Sequence, residues 1–168
     1  MEAKKNPALL LEAFIQSGLT NAHLIMVGNG ALETRLKTKA GEQILEMQQR
    51  IHFLDFQNQR KMPEIYKTSD VFVLPSQGPG ETWGLAVNEA MASGKAVLVS
   101  DQCGCAVDLV QNGINGYIFE SNNREDLINK MKQLSAQKTS LHKMGNQSLQ
   151  MIQNWSFEKI CEAIERSI

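Results

Sequence analysis

A chain of 168 residues with 42% apolar content has room for one globular domain with a sizeable core and too little for a second. Its 17 Lys and Arg nearly cancel 18 Asp and Glu, which excludes holding nucleic acid or an anionic membrane by a basic field alone. No apolar run approaches the roughly 20 residues that cross a bilayer, and the N-terminus lacks the pattern of a signal peptide, so a cytoplasmic chain without a transmembrane segment is expected.

The first predicted element is a helix over "NPALLLEAFIQSG", with Pro7 in its first turn and Gly18 just past its end, where each fits best. No strand stands before it. Since α/β series begin with a strand, a domain that lacks its own first strand is expected, as in a piece of a longer protein. Next, "HLIMVG" (23–28) reads as a buried strand, because nearly every residue in it is apolar. It runs into "VGNGALE" (27–33), a strand-to-helix turn carrying Gly28 and Gly30. Glu33 stands where a dinucleotide fingerprint would place its third glycine, which disfavours a nicotinamide or flavin site and leaves both glycines readable as turn residues.

A helical pattern over 30–49 then leads to the strand "IHFLDF" (51–56), a helix over "KMPEIYKTS" and the strand "DVFVLPS" (70–76). After an irregular loop with Pro75, Gly78, Pro79 and Gly80 come a helix over "GLAVNEAMAS", the strand "KAVLVSD" (95–101), a short helix over "AVDLVQNG" and the strand "GYIFE" (116–120). Short strands alternating with helices predict parallel pairing through right-handed crossovers, hence a doubly wound, Rossmann-like α/β sheet over residues 1–168. Near the end, Phe157, Ile160, Ile164 and Ile168 form an apolar stripe on a terminal helix, expected to cover the local core. Cys103 and Cys105 form a C-x-C pair without a second pair or a nearby histidine. With Cys161 they make an odd number, and free thiols are expected rather than a metal or disulfide site.

In open α/β sheets ligands bind beyond the carboxyl ends of the strands. There, in "GETWGLAVNEAMASG" (80–94), Gly84 lies where the chain enters a helix, and free backbone N–H groups at that helix terminus suit a phosphate or diphosphate. At about 100° per residue, Ala86, Val87, Ala90 and Met91 share a buried face of the helix and Glu89 lies off it. Glu81, in the loop before the helix, and Glu89 would then border one cleft, where carboxylates accept hydrogen bonds from sugar or ribose hydroxyls. The plainer reading makes Glu81 a favourable acid near the helix start and Glu89 a solvated helix residue.

Over nearly its whole length the chain resembles the C-terminal, donor-binding domain of glycosyltransferase family 4, the group 1 retaining transferases of the GT-B fold. The most specific element is the E-x7-E pattern of Glu81 and Glu89 inside "ETWGLAVNEAMASGKAV". "HLIMVGNGALETRL", "MPEIYKTSDVFVLPS" and "NGINGYIFE" support it. The resemblance implies that Glu81 accepts hydrogen bonds from the donor sugar and Glu89 from the nucleotide ribose. It places backbone groups around Trp83, Gly84 and Leu85 against sugar and diphosphate, and makes Lys5, in "KKNPALLLEAF", the cation that neutralises the leaving diphosphate; Lys4 is its neighbour and rival. Gly28 and Gly30 match the glycine turn of the donor site. Asp55, Cys105 and Asp108 replace residues usual in the pattern.

The function so implied is transfer of a hexose from a nucleotide-diphosphate sugar to an acceptor hydroxyl with retention, without cofactor or metal, in cell-surface polysaccharide or glycolipid synthesis. The acceptor, a saccharide or lipid-linked saccharide, would be bound by an N-terminal domain absent from these residues. The isolated chain is accordingly expected to be inactive, and the whole protein cytoplasmic or peripheral on the inner face of the membrane. The paired acids invite a glycosidase analogy with a carboxylate nucleophile. A leaving group that already carries a diphosphate makes that unnecessary. A receiver domain would need an acid at the carboxyl end of the "DVFVLPS" strand, where Pro75 and Ser76 stand. A non-catalytic Rossmann-like nucleotide-binding or interaction module is the remaining alternative.

Overall fold

The computed structural model describes residues 1–78, 81–136 and 138–166, with side chains except at positions 138, 157, 160 and 163. Helix α1 (Pro7–Ser17) starts and stops as its sequence dictates. The Asn6 side chain accepts from the Leu9 N–H, Pro7 occupies the first turn where its missing donor is harmless, and Gly18 closes the helix at φ 68°. All five predicted strands form, as β1 (Leu24–Val27), β2 (Ile51–Leu54), β3 (Val71–Leu74), β4 (Ala96–Ser100) and β5 (Gly116–Phe119). Every pairing is parallel: β1 with β2, and β3 with β4 with β5.

Helices lie on both faces, as the alternation of β4 shows. Ala96 and Leu98 join Leu11, Phe14, Leu127 and Phe119 on the side covered by α1 and α7 (Arg124–Ala136). Val97 and Val99 face Tyr66 of α4 (Met62–Thr68) and Val87, Ala90 and Met91 of α5 (Leu85–Ala92). All five residues of β4 are buried, as expected for the centre of a doubly wound sheet. Each fully buried Val or Leu there contributes about 1.5–3 kcal/mol relative to exposure.

Before α7 the structure departs from the sequence reading in four places. The sheet is divided: β1–β2 and β3–β4–β5 are separate sheets, with a cavity between the free edges of β1 and β3. The helical pattern over 30–49 is two helices, α2 (Glu33–Gly41) and α3 (Leu45–Gln48), because the Gln48 amide donates to the carbonyls of Gly41 and Gln43 and stabilises a break there. Strand β2 is an edge with only Ile51 buried, and Leu54 is 40% exposed. Helix α6 (Ala106–Leu109) stops four residues before the predicted end, because the buried Asn115 side chain takes the Leu109 carbonyl and the Gln111 N–H.

After α7 the chain continues into α8 (Lys138–Ile152), which packs on α5 and β4, and α9 (Phe157–Glu165). Of the expected stripe on α9, the side chains of Phe157 and Ile160, and Ile168 as a whole, lie outside the described residues. Ile164 is 56% exposed, so it does not cover the core.

Candidate functional site

The carboxyl ends of β1 and β3 open on the same side. The segment Met1–Lys5 crosses between them: the Met1 ammonium donates to the Asn29 carbonyl beyond β1, and the Gln77 N–H beyond β3 donates to the Lys4 carbonyl at 2.9 Å. Crossing there puts Lys5 at the mouth of a cavity of about 1010 Å³, whose wall also includes Gly28, Tyr66 and Glu89. Lys5 Nζ stands 4.0 Å from Glu81 Oε2; the Lys5 side chain is 45% exposed and that of Glu81 11%. The Lys5 ammonium is thus half-exposed beside a nearly buried carboxylate. Lys4, by contrast, turns to Glu2 at 3.5 Å.

Glu81 is held from below by the buried Ser76 hydroxyl, which donates to Oε2 at 3.2 Å. Glu89, half-buried on α5, accepts from the Tyr66 hydroxyl at 2.9 Å. Burial, and then the charge of Glu89 beside it, push the Tyr66 hydroxyl well above the ordinary phenol value, so it keeps its proton and remains a donor. One Glu89 oxygen is thereby fixed in orientation. Glu89 is therefore not simply a solvated helix residue. Replacing Tyr66 with Phe should weaken nucleotide binding severalfold in calorimetry and lower stability by about 1 kcal/mol, the usual net worth of one such hydrogen bond. An unchanged affinity in a folded Tyr66→Phe protein would assign the contact to packing alone.

Gly84 enters α5 at φ 104°, and a Cβ there would come within 2.6 Å of Cys103 Sγ, so both backbone and space require glycine. The N–H groups of Gly84, Leu85 and Ala86 find no acceptor among the described residues and form the open end of the helix. Leu85 is 69% exposed beside them. The side chain of Trp83 is occupied elsewhere, donating from Nε1 to Asn88 Oδ1 at 2.8 Å and lying 5.1 Å from Trp155. Gly28 and Gly30 both adopt positive φ, 105° and 149°. A Cβ on Gly30 would strike the Met1 backbone, whereas one on Gly28 would meet nothing within 4 Å.

The C-x-C segment is part of this site's support. The N–H of Gly104 donates to the Glu81 carbonyl at 3.2 Å and that of Cys105 to the Trp83 carbonyl at 2.9 Å, which clamps the loop carrying Glu81. Both thiols are free and buried, with Sγ atoms 3.6 Å apart. Their shared hydrogen bond, and then burial, push the Cys105 thiol far up, so it is a neutral packing group. Ser76, Tyr66 and Gly104 were given no role in the site by sequence reasoning. Tyr66 and Ser76 carry no local signal, and Gly104 would have needed its neighbour Thr82 to be known. Asp55 accepts from Asn29 at the end of β2, and Asp108 is exposed.

A family model described as glycosyl transferases group 1 matches residues 1–151. A UDP-Gal:alpha-D-GlcNAc-diphosphoundecaprenol alpha-1,3-galactosyltransferase of Escherichia coli is 32% identical over 139 residues, 80% of this chain and 34% of the relative. The fold matches the crystal structure of TarM (TM-score 0.85, 21% identity, 99% of this chain and 33% of that one). It also matches Anabaena Alr3699/HepE in complex with UDP (TM-score 0.79, 21% identity, 98% and 46%). The chain spans about a third of the length of the curated relatives it matches. Among the described residues, no helix is long and apolar enough to cross a membrane.

Proposed function

This chain belongs to the glycosyl transferases group 1 family, and on that premise we propose that it is the donor-binding domain of a retaining transferase that takes a UDP-sugar. The whole protein would move the sugar to an acceptor hydroxyl in polysaccharide or glycolipid synthesis, with the acceptor held by residues outside these 168. UDP is preferred because the Escherichia coli relative is named for UDP-Gal and HepE was solved with UDP.

The observation that carries the reading is the position of Lys5. It shares a cavity wall with Glu89 and lies 4.0 Å from Glu81, although 76 and 84 residues separate it from them in the chain. Glu89 accepts from the ribose, Glu81 accepts from the sugar, and the diphosphate sits between, near Lys5 and the open N–H groups of α5. As the glycosidic bond breaks, negative charge grows on the diphosphate. A fixed ammonium and backbone dipoles stabilise that charge more in the transition state than in the ground state. No carboxylate nucleophile is required of the protein.

The reading is tested by titrating the chain with UDP, GDP, ADP and uridine, followed by NMR and thermal shift. UDP should bind in preference to GDP and ADP. Lys5→Ala should weaken UDP about tenfold, the scale of one lost charged contact, and leave uridine unaffected. Equal binding of all three diphosphates, or none, would reject UDP as the donor nucleotide of this domain.

A further inference from the structure

Donor binding makes no use of the two thiols beneath the loop of Glu81. Cys103 and Cys105 are buried, free and in contact, with Sγ atoms 3.6 Å apart. The Ala106 N–H donates to the Cys103 carbonyl at 2.9 Å and closes a turn through Gly104 and Cys105. Two residues so placed in a turn have Cα atoms within the span of a disulfide, about 4.4–6.8 Å. An S–S bond is about 2.05 Å long, so the sulfurs need to close by roughly 1.5 Å, on the scale of a side-chain rotation.

The two thiols are unequal. Their hydrogen bond favours a negative sulfur at Cys103 and holds that thiol below its ordinary value, while Cys105 keeps its proton. Cys103 is thus the nucleophile of the pair. Both sulfurs also support the loop above them. Cys103 Sγ donates to the Trp83 carbonyl at 3.3 Å, and Cys105 Sγ lies 4.0 Å from the Gly84 carbonyl. Gly84 packs so closely on Cys103 that a Cβ there would come within 2.6 Å of its sulfur.

We propose that Cys103 and Cys105 are a peroxide-sensitive dithiol whose oxidation to a disulfide loosens the loop carrying Glu81. Hydrogen peroxide, little larger than water, reaches Cys103 when that loop opens at the exposed Thr82. The Cys103 thiolate attacks one peroxide oxygen and the O–O bond breaks. The departing hydroxide takes a proton and leaves as water, and Cys103 becomes a sulfenic acid. The Cys105 sulfur, losing its proton, then displaces the hydroxyl from the Cys103 sulfur, so that the S–S bond forms and a second water leaves. Two thiols have lost two hydrogens and two electrons, and one peroxide has become two waters. A disulfide has no S–H, so the Trp83 carbonyl loses the Cys103 donor, and the sulfur on which Gly84 packs shifts. The inference goes beyond donor binding and does not depend on which nucleotide is used.

The test treats the Cys161→Ser chain, which lacks the exposed third thiol, with hydrogen peroxide at neutral pH and follows intact mass, peptide mass and amide hydrogen exchange. The monomer should lose two hydrogens, localised to the peptide that holds Cys103 and Cys105, and regain them with dithiothreitol. In the oxidised form the amides of Gly104 and Cys105, which donate to the Glu81 and Trp83 carbonyls, should exchange about tenfold faster. Cys105→Ser keeps a hydroxyl donor for Cys103 but no second sulfur, and should stop at a sulfenic acid trapped by dimedone. If that variant does not fold, the mass and exchange of the Cys161→Ser chain decide alone. Thiols that oxidise only after unfolding in urea would overturn the proposal, as would oxygen addition without an S–S bond. A disulfide that leaves the two amides at or below their reduced rates would overturn it too. Nucleotide binding enters none of these outcomes, so failure of the UDP reading stays distinguishable.

Discussion

Glu89→Ala should weaken UDP binding by about ten- to a hundredfold, the range set by losing one or two hydrogen bonds to a charged acceptor, 1.5–3 kcal/mol in all. Glu89 is a half-buried carboxylate with one oxygen held by Tyr66 at 2.9 Å, so a ligand hydroxyl meets an acceptor already oriented. The alanine variant also strands the Tyr66 hydroxyl in a buried setting, which costs about 1 kcal/mol or somewhat more of stability. Glu89→Gln separates the two effects. It keeps an oxygen for Tyr66 and removes the charge, and should retain the parent melting temperature while still losing affinity. Calorimetric titration of both variants with UDP, beside their thermal melts, is the measurement. A folded Glu89→Gln protein that binds UDP as tightly as the parent would remove Glu89 from the site.

The second large effect is expected at Gly104. A Cβ placed there meets the Thr82 carbonyl oxygen and carbon and, at 3.3 Å, the Trp83 Cα, all of them backbone atoms. No side-chain rotation relieves such a clash, so the loop that carries Glu81 must move or the clamp of Gly104 on the Glu81 carbonyl must break. Gly104→Ala should therefore destabilise the protein by about 3 kcal/mol or more, a fall of roughly 6–12 °C in Tm for a chain of this size. UDP affinity should fall with it, because Glu81 and the open end of α5 are displaced together. Gly41 supplies the control: an added Cβ there meets nothing within 4 Å, at the end of a helix. Gly41→Ala should be neutral or stabilising by about 0.4–1 kcal/mol. Similar losses in the two variants, read by denaturant titration, would sink the steric account of Gly104.

Much of the fold was legible because its signals are local. The runs "LIMV", "VFVL" and "AVLV" are apolar throughout, the pattern of strands in a sheet with helices on both faces, and they became β1, β3 and most of β4, of which β4 is buried along its whole length. Pro7 and Gly18 mark the ends of α1 through backbone preferences that do not depend on the rest of the chain. The break between α2 and α3 was not legible, because it rests on where one glutamine side chain finds its acceptors. For the site, the spacing of Glu81 and Glu89 was readable, and so was the glycine at the start of α5. The partners Tyr66 and Ser76 were not.

By itself, then, the sequence determined the number, order and parallel character of the strands, the caps of α1, and the motif that holds both acids. These follow from apolar runs, turn residues and short spacings, whose physics acts over a few neighbouring residues. Only the tertiary structure decided that the sheet is divided, that Lys5 rather than Lys4 reaches Glu81, that Tyr66 aims Glu89, and that Gly104 grips the loop of Glu81. Each of these joins residues between 22 and 76 positions apart or leaves two distant edges unjoined. Such contacts depend on how whole elements stack, and local preference carries no record of that.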